Sequence, residues 1–233
     1  MSYLFTIEAP DASGKTTQVN LLKARLEKDG LNVRLVRFPN YGSDACKPAE
    51  LYLGGALGKN PSDTNAYAAS VLFAVDRYFS YRLDWEELYR DENSVILLDR
   101  YTTSNAIHQL SKISDEKERE AFLDWLYDLE FAKMGLPVPD DTVFLDVDPD
   151  VSLRLLRERE KNDPSHRSDI HEASGDYLRS CYEASIFASE KKGWKRLVCT
   201  RDGKMRSIDE IHEELYGYVK GRIREKRQST KGI

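Results

Sequence analysis

Gly14, Lys15 and Thr16 stand in a row within the stretch IEAPDASGKTTQ, Ile7 to Gln18. In that order they suit phosphate chemistry. Backbone amides at a helix start cradle an anion, a lysine reaches the outer phosphates, and a threonine hydroxyl ligates magnesium. They are the second half of the phosphate loop G-x-x-x-x-G-K-[ST]. The first half is altered. Ala9 holds the first glycine position, which it suits at negative φ, and Pro10 fixes its own φ and removes one amide donor. Ala12, Ser13, Gly14, Lys15, Thr16 and Thr17 are therefore the expected nucleotide contacts. Asp99 ends the apolar run SVILLD and would project from the carboxyl edge of a sheet, near that loop. Thr16 and Asp99 are the candidate metal pair. A blander reading uses the same residues: Ser13 or Asp11 as an ordinary helix cap, and Asp99 as a cap for the helix after its strand.

The loop needs a strand before it and a helix after it. Tyr3 to Ile7 is a short apolar run, and Val19, Leu22 and Leu26 then recur at helical spacing up to Gly30. LNVRLVRF follows as a strand, completing a βαβ unit. Further apolar runs at 94–99, 141–147 and 194–200 read as strands, and 65–89, 115–133, 149–160, 177–191 and 208–224 read as helices. Asp148 and Pro149 supply a cap and a first helical residue. The alternation predicts an α/β fold of three layers, a parallel sheet between helices. Apolar periodicity is lost from Arg157 to Gly175, which reads as an exposed arginine-rich lid at about 157–175, and the polar tail at about 225–233 reads as frayed. There is no internal repeat and no Gly/Ser linker, so the expectation is one domain over 1–233.

The 233 residues are 40% hydrophobic, enough for one sizeable core, and the formal net charge is −5. A mildly acidic chain is a poor general nucleic-acid binder. Three separated cysteines and four scattered histidines form no metal-ligand or disulfide pattern, which fits a reducing cytoplasm. No run approaches the length of a membrane span, and the first residues are too short and too soon acidic for a signal peptide.

Further blocks extend the pattern in order: RFPNYG, LFAVDRY, LLDRYTTSNA, GLPVPDDTVFLDV and the arginine-rich stretch with DIHE. From Leu4 to about Tyr182 the chain resembles thymidylate kinases, P-loop nucleoside monophosphate kinases that move a phosphoryl group from ATP to dTMP. The resemblance implies a five-stranded parallel sheet, ATP and Mg2+ as cofactors, and a homodimer. It places Asp11 near the sugar hydroxyl and the acceptor phosphate, and Asp99 and Arg100 near magnesium and that phosphate. Phe73 would stack on thymine, Arg77 would hydrogen-bond the base, and Phe38 and Pro39 would wall the acceptor site. Tyr101 and Ser104 would touch substrate. The family's extra arginine comes from the phosphate loop or from the lid. The loop position here is Ala12, so Arg159 and Arg167 are the lid candidates, with Arg157 third. Structural alternatives exist for several of these: Phe73 as core beside Val71 and Tyr67, Arg77 as a solvated arginine, Tyr101 as a packing residue, Ser104 as a surface hydroxyl.

The chain departs from the family at Ala9, at Tyr41 where some relatives place an arginine, and at Asn105 and His108. His108 reads as a pocket-wall or surface residue rather than a catalyst. These departures leave two rivals to dTMP phosphorylation: a deoxynucleoside kinase or other monophosphate kinase of the same fold, and a catalytically weak nucleotide-binding regulator.

Overall fold

The computed structural model describes residues 2–11, 13–162 and 175–231. Five strands carry the centre: β1 (Tyr3–Glu8), β2 (Asn32–Arg37), β3 (Ser94–Asp99), β4 (Asp141–Asp146) and β5 (Lys195–Val198). They pair in the order β2-β3-β1-β4-β5, and every pairing is parallel. All six residues of β1 and all six of β3 are buried, as expected of strands covered on both faces.

Side chains alternate across the sheet. Phe5, Ile7, Val95, Leu97, Val143 and Leu145 point to one face. There they share a core with Val19, Leu22 and Leu26 of α1 (Lys15–Lys28) and with Ile211, Leu215 and Val219 of α9 (Ile208–Lys231). Leu4, Val36, Ile96 and Leu98 point to the other face and meet Trp85, Tyr101 and Leu136. Further along that face Phe144 packs with Ile107 of α5 (Thr102–His108), Leu123 and Leu126 of α6 (Glu116–Tyr127), and Ala184 and Ala188 of α8 (Gly175–Lys192). The result is the expected α/β sandwich.

Two long helices of the sequence reading are interrupted. The 65–89 stretch is α3 (Ala66–Ser80), a π-helical turn Tyr81–Trp85, and α4 (Glu86–Arg90). The 115–133 stretch is α6 followed by a π-helical turn Asp128–Lys133. The helix expected after Asp99 is α5, but α2 (Lys47–Leu53) and a small antiparallel hairpin, β6 (Thr200–Arg201) and β7 (Lys204–Met205), were not foreseen. Between β4 and α8 lies α7 (Pro149–Asn162). Helix α9 runs on past Arg224 to Lys231, and its side chains clasp the start of the sheet. The Tyr218 hydroxyl donates to Asp141 at 2.8 Å, Arg222 Nε to the same carboxylate at 3.0 Å, and Lys226 Nζ to the Ser2 carbonyl at 3.0 Å. Among the described residues no helix is long and apolar enough to cross a membrane. The three cysteines are buried and free.

Candidate active site

Register decides what meets at the carboxyl edge. Ile7 of β1 lies opposite Asp99 of β3, and Arg37 of β2 lies opposite the same Asp99. The loop leaving Glu8 and the carboxylate ending β3 therefore emerge side by side.

The loop enters α1 through Gly14, which has φ +79° and leaves the first helical amides without a side-chain cap. A left-handed residue here is cheap only for glycine. The buried Ser13 hydroxyl has no hydrogen-bond partner among the described residues. The helix-cap reading of Ser13 or Asp11 is thus corrected: no side chain among the described residues caps α1, and helix-start amides of this kind can receive an anion. Ala9 is buried in the core below and is not among the residues with positive φ, so the altered glycine position needs no left-handed backbone.

Lys15 is ion-paired with Asp99, which also has Arg37 Nε at 3.4 Å. Burial and the nearby positive charge of Arg100 hold the Lys15 ammonium below its ordinary pKa, against the pull of Asp99. Asp99 caps no helix amide among these contacts; it faces the loop. Arg100 has φ 67°, a left-handed conformation that is uncommon outside glycine and clusters at functional sites. Its guanidinium donates to Asp11, lies 3.7 Å from Glu8 and meets His108 Nε2 at 3.2 Å.

Two cavities adjoin this pair. One is an open cleft of about 710 Å³ along Ser13, Gly14, Lys15, Thr16 and Thr17, with Pro10 and Leu155 at its sides. The other, about 210 Å³, has Phe38, Pro39 and Tyr41 on one wall, Phe73 and Arg77 of α3 on another, and Tyr101, Ser104, Asn105 and His108 on a third. Asp11, Tyr41 and Arg100 line both. The cleft is polar and runs along a helix start, chemistry that suits phosphates. The cavity offers four phenylalanine or tyrosine rings, two arginines and amide or hydroxyl groups, the makings of a site for a planar base with a charged tail.

Most of the predicted side chains have a defined setting. Phe73 is edge-to-face with Tyr52, centroids 5.8 Å apart, and turns toward the cavity. Arg77 is not solvated. It is 2% exposed and held by Glu130 through bonds of 2.7 and 2.6 Å. Tyr101 is fully buried, with its hydroxyl donating to the Pro137 carbonyl at 3.2 Å, so only its ring faces the cavity. The Ser104 hydroxyl donates to Glu8 at 2.8 Å, and Asn105 Nδ2 donates to the Ser70 carbonyl at 3.2 Å. Ala12 and Arg167 lie outside the described residues, and so does the side chain of Arg159; Arg157 is exposed on α7.

A sequence model described as "Thymidylate kinase" matches residues 7–214. The thymidylate kinase of Mycobacterium tuberculosis is 33% identical over 174 residues, 74% of this chain and 79% of that protein. A putative thymidylate kinase of Aeropyrum pernix is 25% identical over 214 residues, 91% and 93% of the two chains. The Schizosaccharomyces pombe thymidylate kinase is 29% identical over 149 residues, 64% and 63%. The chain belongs to the thymidylate kinase family.

Membership makes the chain a nucleotide-using phosphotransferase. Within this thymidylate kinase framework three acidic residues were not singled out by sequence. Glu8 is fully buried and accepts from the Tyr101 amide at 3.2 Å and the Thr103 hydroxyl at 2.6 Å, anchoring the start of α5. Glu130 takes the Thr102 hydroxyl at 2.7 Å as well as Arg77. Asp76 accepts from the Asn40 amide at 2.8 Å, which fixes the loop after Pro39, and its burial raises the carboxyl above the usual range. The available signal was position: Glu8 ends a buried strand, and Asp76 sits beside Arg77. Glu130 gives none, since it reads as one more charge on a helix.

The donor set also suits magnesium. Among the described residues no three His, Cys, Asp or Glu side chains gather as a cage. A hydroxyl from Thr16 and a carboxylate from Asp99 beside a phosphate nest are what a mostly hydrated magnesium uses, since it fills its remaining positions with phosphate oxygens.

Proposed function

We propose that this chain transfers the γ-phosphoryl group of ATP to the phosphate of dTMP, giving dTDP and ADP. One observation carries the reading: the phosphate cleft and the aromatic cavity share Asp11 and Arg100 as a common boundary. A donor in one and an acceptor in the other would meet there.

Such transfer is mostly positioning and charge stabilisation. The free amides at Ser13 to Thr17 and the Lys15 ammonium hold the donor phosphates. Arg100 faces the acceptor phosphate, oriented by Asp11. Phe73 offers its face to the thymine ring, and Arg77 presents its remaining N–H edge. Thr16 and Asp99 would hold magnesium, which when bound supplies charge to the phosphate oxygens. Arg159 and Arg167 are proposed as the further arginines on the transferring group, in a lid over about 157–175. A homodimer and a cytoplasmic setting belong to the same proposal. Val71 and Phe79, exposed on α3 at 42% and 49%, support a partner surface. The rivals, a deoxynucleoside kinase or a weakly active regulator, are not favoured by the family match or by the intact Lys15, Thr16 and Asp99.

The test is ADP release measured across dTMP, dUMP, CMP, GMP and thymidine. A signal selective for dTMP is expected. Turnover with thymidine but not dTMP would replace the proposal with a nucleoside kinase, and ATP binding with no acceptor turned over would leave only a binding protein.

A further inference from the structure

His108 ends α5 at the wall of the aromatic cavity, and its Nε2 lies 3.2 Å from Nη1 of Arg100. A guanidinium has donors only. The contact is a hydrogen bond only when Nε2 carries a lone pair, so the ring is neutral and its proton sits on Nδ1. That nitrogen faces Cys181 Sγ at 3.6 Å, a weak sulfur acceptor on α8. The same helix holds the α5 end from a second point, where the Tyr177 hydroxyl donates to the His108 carbonyl at 3.1 Å.

The surrounding charges agree with a neutral ring. Arg100 and Asp11 approach from the loops after β3 and β1, Lys15 from α1, Lys112 from the turn after α5, and Cys181 from α8. Burial first, then Arg100, push the imidazole down to about 4, so the lone pair is present at neutral pH.

A neutral acceptor does something that the neighbouring carboxylates do not. Asp11 and Glu8 draw the guanidinium and also offset its charge. An imidazole lone pair fixes a further N–H direction and leaves the positive charge for a phosphate. We propose that His108 is a positioning residue for Arg100, its neutral ring held between that guanidinium and Cys181 so that Arg100 stays aimed at the acceptor phosphate. This rests on the phosphoryl-transfer reading above.

Two measurements test it. Nitrogen-15 NMR of the imidazoles in the wild-type protein needs neither substrate nor variant. At pH 7 His108 should show a protonated Nδ1 and a bare Nε2; the other tautomer, or an imidazolium, overturns the inference. Steady-state kinetics then compare His108→Gln, whose carbonyl keeps an acceptor near Nε2, with His108→Leu, which keeps volume alone. The leucine variant should raise KM for dTMP about tenfold, the effect of losing one hydrogen bond to a charged group, with KM for ATP unchanged. The glutamine variant should recover most of that loss. Equal effects in the two variants would mean a packing role and defeat the proposal. Failure of the functional reading shows differently, as absence of dTMP turnover in the wild type.

Discussion

Lys15 lines the cleft and Arg100 lies where cleft and cavity meet, and each is already matched to an aspartate, Asp99 and Asp11. Removing either should leave folding nearly intact, because both sit at the cleft rather than inside the hydrophobic clusters. Lys15→Ala or Arg100→Ala should lower kcat/KM for dTMP phosphorylation about 100-fold or more, the scale of losing one preorganised charge-stabilising group, with melting temperature little changed. Near-normal turnover in both would sink the assignment. His108 gives a prediction about stability. Its folded-state pKa, about 4, lies below its ordinary 6.5. Between those values the unfolded chain binds the extra proton, so stability rises with pH there. The contribution is complete above pH 6.5 and is lost as pH falls through 4, at most about 3 kcal/mol. Urea titrations from pH 7 to 4 should show this slope, and His108→Gln should flatten it. At this scale the sequence revealed the residues that obey a local motif: Gly14, Lys15, Thr16 and Asp99. It hid those that act through a distant partner. Arg77 is singled out only by the family resemblance, with no local sign of Glu130, far along the chain, which holds it, and Glu8 looks like the end of a strand until it takes the amide of Tyr101.

Glu130 connects elements rather than substrates. It receives Arg77 from α3 and Thr102 from the start of α5, and it is itself fully buried. Glu130→Gln should destabilise the protein by about 3–5 kcal/mol, because it strands a buried guanidinium. Chemical denaturation would measure this, and a loss below 1 kcal/mol would show that Arg77 finds another partner. Elements with long apolar patterns were legible: the runs 94–99 and 141–147 match β3 and β4 almost residue for residue. Short or interrupted ones were not. Helix α2 has seven residues, too few for two turns of periodicity to stand out, and α5, equally short, was legible only from the strand end before it. The π-helical turns at Tyr81–Trp85 and Asp128–Lys133 keep the composition of a helix while shifting its phase, so the sequence reads straight through them.

At the scale of the whole molecule, the central place of β1 explains where the site lies. It pairs with β3 on one side and β4 on the other, so the loop leaving it opens at the middle of the carboxyl edge, where open parallel sheets bind ligands. Sedimentation should give twice the mass of one chain if the exposed side chains of α3 form the proposed partner surface, and Val71→Asp should then yield monomers; a monomeric wild type would remove the dimer from the proposal. The clasp of α9 on the start of the sheet has a consequence for biosynthesis. One apolar face of β1 is closed by Leu215 and Val219, which the ribosome makes long after β1 itself. At about 5–20 residues per second, that face waits many seconds for its cover. Consolidation of the nucleotide cleft therefore waits until α9 has been made, and the nascent chain is a natural client for chaperones until then.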